Sequence, residues 1–128
     1  MQDEKSINKP SLKKIDADVS QLIKVMRVNE PHFYPLWHFH PQCEIMLVEK
    51  SSGTRYVGDN IGQFREGDVV LFGPNIPHLL RNSKEYFDAK SKRKAKATVL
   101  YFDETLWGID FYQLTEMGHI RDLLKKAR

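Results

Sequence analysis

Three histidines and a glutamate carry the chemistry most readily read from this chain. His38 and His40 are separated by one residue, Glu44 follows four positions later, and His78 stands well downstream. In a strand, side chains alternate between faces, so His38 and His40 share one face, and Glu44 has the same parity. His78 follows Gly73-Pro74-Asn75-Ile76-Pro77, a turn-rich run that can aim a side chain into the mouth of a barrel. Three imidazoles and a carboxylate are a donor set for a divalent first-row ion, Zn, Ni, Mn or Fe, with positions left for water or a ligand. A His-x-His pair alone is more often a pair of hydrogen-bonded core histidines. The addition of Glu44 and His78 turns the reading toward a site. Trp37, Phe39 and Trp107, with Phe33 and Tyr34, are candidate walls for a pocket that takes a sugar or an aromatic molecule. Packing in the core is the ordinary alternative for such residues. Cys43 has the opposite parity to Glu44 and is assigned to the core. His32 and His119 are isolated, and Asp68 beside Gly67 is assigned to a turn.

The elements that must position these groups are short and β-prone. Candidate strands cover 22–28, 44–50, 54–57, 61–65, 68–72 and 97–102. Ser51-Ser52-Gly53, Gly58-Asp59-Asn60, Arg65-Glu66-Gly67 and Gly73-Pro74-Asn75 separate them with turn chemistry. Short strands punctuated this often predict an antiparallel sandwich or small barrel over residues 21–106. Residues 1–20 are polar and show no sustained period, which predicts a flexible arm. Beyond Trp107 the period changes. Asp110 and Thr115 can cap helical turns, and Ile120, Leu123, Leu124 and Ala127 fall on one helical stripe. Residues 107–128 are therefore expected to be a C-terminal helical segment. Its apolar stripe is the expected homodimer contact.

The composition restricts the remaining options. With 128 residues, one folded domain is expected. A single cysteine excludes an internal disulfide framework and a multi-cysteine zinc cluster, and it fits a reducing compartment. No apolar run approaches the ~18 residues of a membrane span, and the polar start has no signal-peptide core. The expectation is a soluble cytoplasmic protein without a membrane partner. The net charge of +3 has a local origin: segment 84–96 alone carries a net +4. That segment lacks apolar periodicity and reads as a solvated loop, able to attract phosphate but not to read a base sequence.

These residues resemble a known family. His38-x-His40-x3-Glu44 is similar to the first cupin motif, and Gly67-x5-Gly73-Pro74-Asn75 with His78-x3-Asn82 to most of the second. Trp37-His38-Phe39-His40-Pro41, Val57-Gly58-Asp59 and the run from Gly67 to His78 look like the N-terminal cupin of AraC/XylS-type transcriptional regulators. His32, Ser51 and Asn75 depart from the pattern, standing where it has glycine. The resemblance implies a mainly β fold, the cupin double-stranded β-helix, with C-terminal α-helices. It implies an effector-binding and dimerisation domain that senses a small molecule and forms a homodimer. DNA would be read by a helix-turn-helix domain beyond Arg128, and the helix left unterminated there is the expected mark of a cut. The competing function is a small metal-dependent cupin enzyme of dioxygenase or isomerase type. No nucleophile–base pair is legible, so a non-enzymatic role is expected.

Overall fold

The computed structural model describes residues 9–15 and 23–103. Nine strands are formed there: β1 (Ser11–Leu12), β2 (Ile23–Glu30), β3 (His38–Phe39), β4 (Cys43–Lys50), β5 (Gly53–Val57), β6 (Asn60–Phe64), β7 (Val69–Phe72), β8 (His78–Asn82) and β9 (Ala95–Phe102). They make two sheets, ordered β1-β3-β8-β5-β6 and β2-β9-β4-β7. Every pairing is antiparallel except β1 with β3. The expected helical segment 107–128, with Trp107, Ile120, Leu123, Leu124 and Ala127, lies outside the described residues.

The core follows from period-two alternation. In β9, Ala95, Ala97, Val99 and Tyr101 are buried while the residues between them are half-buried. In β4, Glu44, Met46 and Val48 point the same way, toward Phe64, Val70, Phe72 and Leu80 from the neighbouring strands. Small side chains line one end of β9 and a tyrosine the other, and Phe33 and Phe64, with ring centroids 6.0 Å apart, belong to the same core. Cys43, of opposite parity, is fully buried beside Phe102, with Ile45 and Leu71 packed against them.

Three features differ from the sequence reading. β8 was not expected as a strand, because its inward positions are His78, Leu80 and Asn82, and polar inward residues invert the hydrophobic alternation. Within the expected arm, Ser11–Leu12 pairs in parallel with His38–Phe39, a two-residue match that no periodicity announces. The basic segment is partly ordered as a 3-10 turn at Lys84–Phe87, and its last residues, from Ala95, already belong to β9.

Two close approaches hold the site's elements together. A Cβ on Gly53 would lie 2.0 Å from the Arg81 carbonyl oxygen, so only glycine lets β5 meet β8 there. Asn75 takes φ +60°, a left-handed value that asparagine tolerates, and its N–H donates to the His40 carbonyl at 2.8 Å. That bond ties the loop before His78 to the loop carrying His40.

Candidate metal and ligand site

The tertiary structure brings His38, His40, Glu44 and His78 together. His38 of β3 is the register partner of His78 of β8, so these two side chains emerge side by side on one face. His40 lies just past β3 with the parity of His38, and Glu44 faces them from β4 in the other sheet. All four are buried. One nitrogen from each histidine falls within 4.8 Å of the others. Glu44 Oε1 lies 3.0 Å from His40 Nε2 and 3.6 Å from His78 Nε2.

Hydrogen bonding sets what these nitrogens can do. His38 Nδ1 donates to the Leu36 carbonyl at 2.6 Å, His40 Nδ1 to Gln42 at 3.0 Å, and His78 Nδ1 to Ile76 at 2.8 Å. A carbonyl only accepts, so each Nδ1 must carry its hydrogen. In the neutral ring, Nε2 then presents a lone pair, and all three rings are locked in the same tautomer. Carbonyl partners of this kind orient metal-ligating imidazoles. His78 Nε2 is buried and has no hydrogen-bond partner. His40 Nε2 lies 3.0 Å from the Glu44 carboxylate, so a shared proton or a bound cation must sit between these two acceptor atoms. The donor set fits a divalent ion.

The electrostatics agree. Burial, with His78 next, lowers His38 to about 4, so it is a neutral ligand near pH 7. Burial alone would raise Glu44, but the hydrogen bond with His40 and the nearby His78 imidazole outweigh it and hold the carboxyl at about 2. Tyr101, next to Glu44 in register on β9, is pushed up by burial and by the Glu44 charge and stays a neutral phenol. Phe72 stacks on His78 with centroids 4.2 Å apart, fixing the ring plane.

The site opens on a cavity of about 460 Å³. His38, Glu44, His78 and Tyr101 form its polar part, and Met26, Val28, Phe33, Met46, Leu80 and Val99 its apolar part. Lys13, Arg27, His32 and Tyr34 also line it. Trp37 and Phe39, expected as pocket walls, are not among the lining residues. They alternate with His38 and so face away from it, and both are half-buried. Of the other aromatic candidates, Phe33 and Tyr34 do line the cavity. Lys13 was missed by sequence reasoning. Its Nζ sits 4.2 Å from the Tyr34 ring centroid, and burial lowers its pKa despite the attraction of Glu44. Only the two-residue pairing of β1 brings it to the site, and nothing in the local sequence signals that. His32 donates from Nδ1 to the Phe33 carbonyl at 2.9 Å and stacks on Phe87. Asp68 accepts from the Arg65 N–H at 3.0 Å within a turn, as expected.

Comparison with known proteins bears on this geometry. Residues 26–105 match the family described as AraC-like ligand binding domain. The chain belongs to that family. A cupin-family protein with a double-stranded β-helix fold from Methanocaldococcus jannaschii is similar at a TM-score of 0.50 and 14% identity, over 63% of this chain and 70% of that one. That likeness shows the fold. A cupin 2 conserved barrel domain protein from Rhodopseudomonas palustris aligns at a TM-score of 0.47 and 19% identity, over 69% of this chain. The chain spans 57% of the length of that protein. No curated protein sequence matches the chain. Among the described residues, no helix is long and apolar enough to cross a membrane.

Proposed function

We propose that this chain is the effector-binding and dimerisation domain of an AraC-type transcriptional regulator, and that the end of the cavity lined by His38, Glu44 and His78 is where the effector is held. The observation that carries this reading is the cavity itself. It has the size of a small-molecule site, a largely apolar lining and a few convergent polar groups at one end. Membership of a ligand-binding family supports it. A sugar, or another small molecule offering oxygen donors to the polar end and a hydrocarbon face to Met46, Leu80 and Val99, suits the lining.

A divalent ion held by the three Nε2 atoms would supply a Lewis-acid anchor for an effector oxygen. The chain's own residues do the rest. The carbonyls of Leu36, Gln42 and Ile76 keep the rings oriented, Glu44 supplies the compensating negative charge, and the apolar walls exclude water. Effector binding would act by population shift, favouring one arrangement of the segments that follow β9. Ile120, Leu123, Leu124 and Ala127 would form the two-fold contact between copies, and a separate helix-turn-helix domain of the parent protein would read DNA. The protein would work in the cytoplasm.

The experiment is calorimetric titration with a panel of sugars and small aromatic acids, with and without added metal. Binding should be stoichiometric, and Val28→Trp, which fills the cavity from β2, should abolish it. Binding unaffected by Val28→Trp would place the effector elsewhere. A second reading, a metal-dependent cupin enzyme of dioxygenase or isomerase type, is favoured by the three lone pairs converging beside an open cavity. Robust turnover of a bound compound, dependent on metal and lost in His40→Ala, would replace the first reading with the second.

A further inference from the structure

At the other end of the sandwich lies a second concave surface that the cupin site does not use. Lys50 is six residues along β4 from Glu44, on the order of 20 Å at the rise of a strand. A groove of about 610 Å³ opens there, lined by Lys50, Arg65, Lys92, Arg93, Lys94 and Lys96, with Ser51, Tyr86 and one carboxylate, Glu66. Three different parts of the chain supply the six cations: the end of β4, the turn after β6, and the stretch leading into β9. None of the six forms an ion pair with a carboxylate among the described residues. Lys50 and Lys96 are also direct register partners on adjacent strands. Like charges in that position repel and destabilise a sheet.

Ser51 adds an independent sign of a ligand. It takes φ +144°, in a region that side chains rarely adopt. Glycine is the residue such a backbone favours. The serine here is only 5% exposed, and its Oγ is buried without a hydrogen-bond partner. A strained residue with an orphaned hydroxyl calls for a reason, and a bound group that supplies the missing partner is one. Its neighbourhood is held firmly. The Ser52 carbonyl accepts from Ser83 N–H and from Ser83 Oγ, both at 3.1 Å, and Gly53 is wedged against Arg81.

We propose that this groove is a binding site for a multiply charged oxyanion, the pyrophosphate-type group of a small phosphorylated ligand. The Ser51 hydroxyl, once turned toward the groove, donates to one oxygen, Arg65 offers a planar fork to a second phosphoryl group, and Lys50 and Lys96 are neutralised together by an anion between them. A concave groove with a buried hydroxyl among its lining suits a discrete anion better than the long, exposed track of a duplex backbone. The inference is independent of the effector reading, because it involves none of the cupin-site residues.

Inorganic pyrophosphate is the probe, titrated calorimetrically into the full 128-residue chain, stripped of metal and dialysed so that the anion has no cation to follow. Saturable binding near one equivalent is expected, with equal affinity in His40→Ala. Ser51→Gly removes the hydroxyl and relieves the backbone. It should weaken pyrophosphate about ten-fold or more, the scale of a hydrogen bond to a charged group, while leaving the thermal midpoint unchanged or higher. A merely structural serine would not separate these two readouts. Lys50→Gln should weaken binding without lowering stability. Labelled random duplex DNA is the competing arm, and pyrophosphate should displace any that binds. Absence of pyrophosphate binding at millimolar concentration and low salt would overturn the proposal. So would affinity unchanged by Ser51→Gly, or duplex binding that exceeds pyrophosphate binding and ignores that substitution.

Discussion

Adding a divalent ion to the tag-free apoprotein should raise its thermal midpoint markedly, and the size of the rise can be worked from the site. One nitrogen of each histidine already lies within 4.8 Å of the others, and each ring is held by its own carbonyl, so binding has little left to order. A ligand that binds only the folded state at one hundred times its dissociation constant adds about 2.7 kcal/mol. For a chain of 128 residues, each kcal/mol moves the midpoint by roughly 3–5 °C. The expected rise is therefore about 8–13 °C for the preferred ion among Zn, Ni, Mn and Fe(II), read by differential scanning fluorimetry at pH 7. His40→Ala and His78→Ala should each lose most of it. His32→Ala should keep it, because that imidazole bonds to the Phe33 carbonyl and stacks on Phe87 away from the cluster. At pH 4 the rise should shrink, since His38 titrates near that value and a proton then competes for its lone pair. A rise below about 1 °C with every one of the four ions would refute the metal reading, as would a full rise in both alanine variants.

Acid should destabilise the apoprotein in a defined window. His38 sits near 4 against an ordinary 6.5, so the unfolded chain takes up that proton first and stability falls as pH drops from about 6.5 toward 4. Glu44 sits near 2 against 4.5, so its contribution, present above 4.5, is lost as pH falls further toward 2. Urea midpoints that stay level between pH 7 and pH 4 would contradict the first, and midpoints level from pH 4.5 to pH 2 the second. Asn82→Ala should cost about 1–3 kcal/mol in urea unfolding, because the Asn82 Oδ1 accepts the buried Phe33 N–H at 2.7 Å and nothing replaces it. A loss under about 0.5 kcal/mol would show that water serves equally well there. In sedimentation, Leu124→Glu should turn a dimer into a monomer by removing a contact worth about 1.5–3 kcal/mol per buried leucine. A wild-type chain that is monomeric at high micromolar concentration would dispose of that interface.

Much of the fold was legible because strand alternation and turn chemistry are local. The stretch 44–50 reads as a strand from its β-prone residues alone, and its bounds in the structure differ by one residue. The parity argument also separated Cys43 from Glu44, since the side-chain period of a strand is a property of the backbone. Ser51 and Asn75, standing where the resembled pattern has glycine, do adopt positive φ. His38, His40, Glu44 and His78 could be singled out as candidates because metal-ligating chemistry depends on few side-chain types, and the fold brings the four together.

What only the tertiary structure decided was how distant segments meet. That Leu36, Gln42 and Ile76 carbonyls lock the three tautomers depends on loop conformations, and no side-chain pattern encodes them. Lys13 reaches the cavity through a two-residue parallel pairing too short to leave a period in the sequence. Trp37 and Phe39 were named as walls on residue type, and the pleat turned them away. The basic segment had a charge but no shape until Lys50, Arg65 and Ser51 were folded beside it. Local sequence determines which way each side chain points along its own strand. Which strands lie opposite one another is set by burial of the whole inner surface at once, and that is a property only the folded chain possesses.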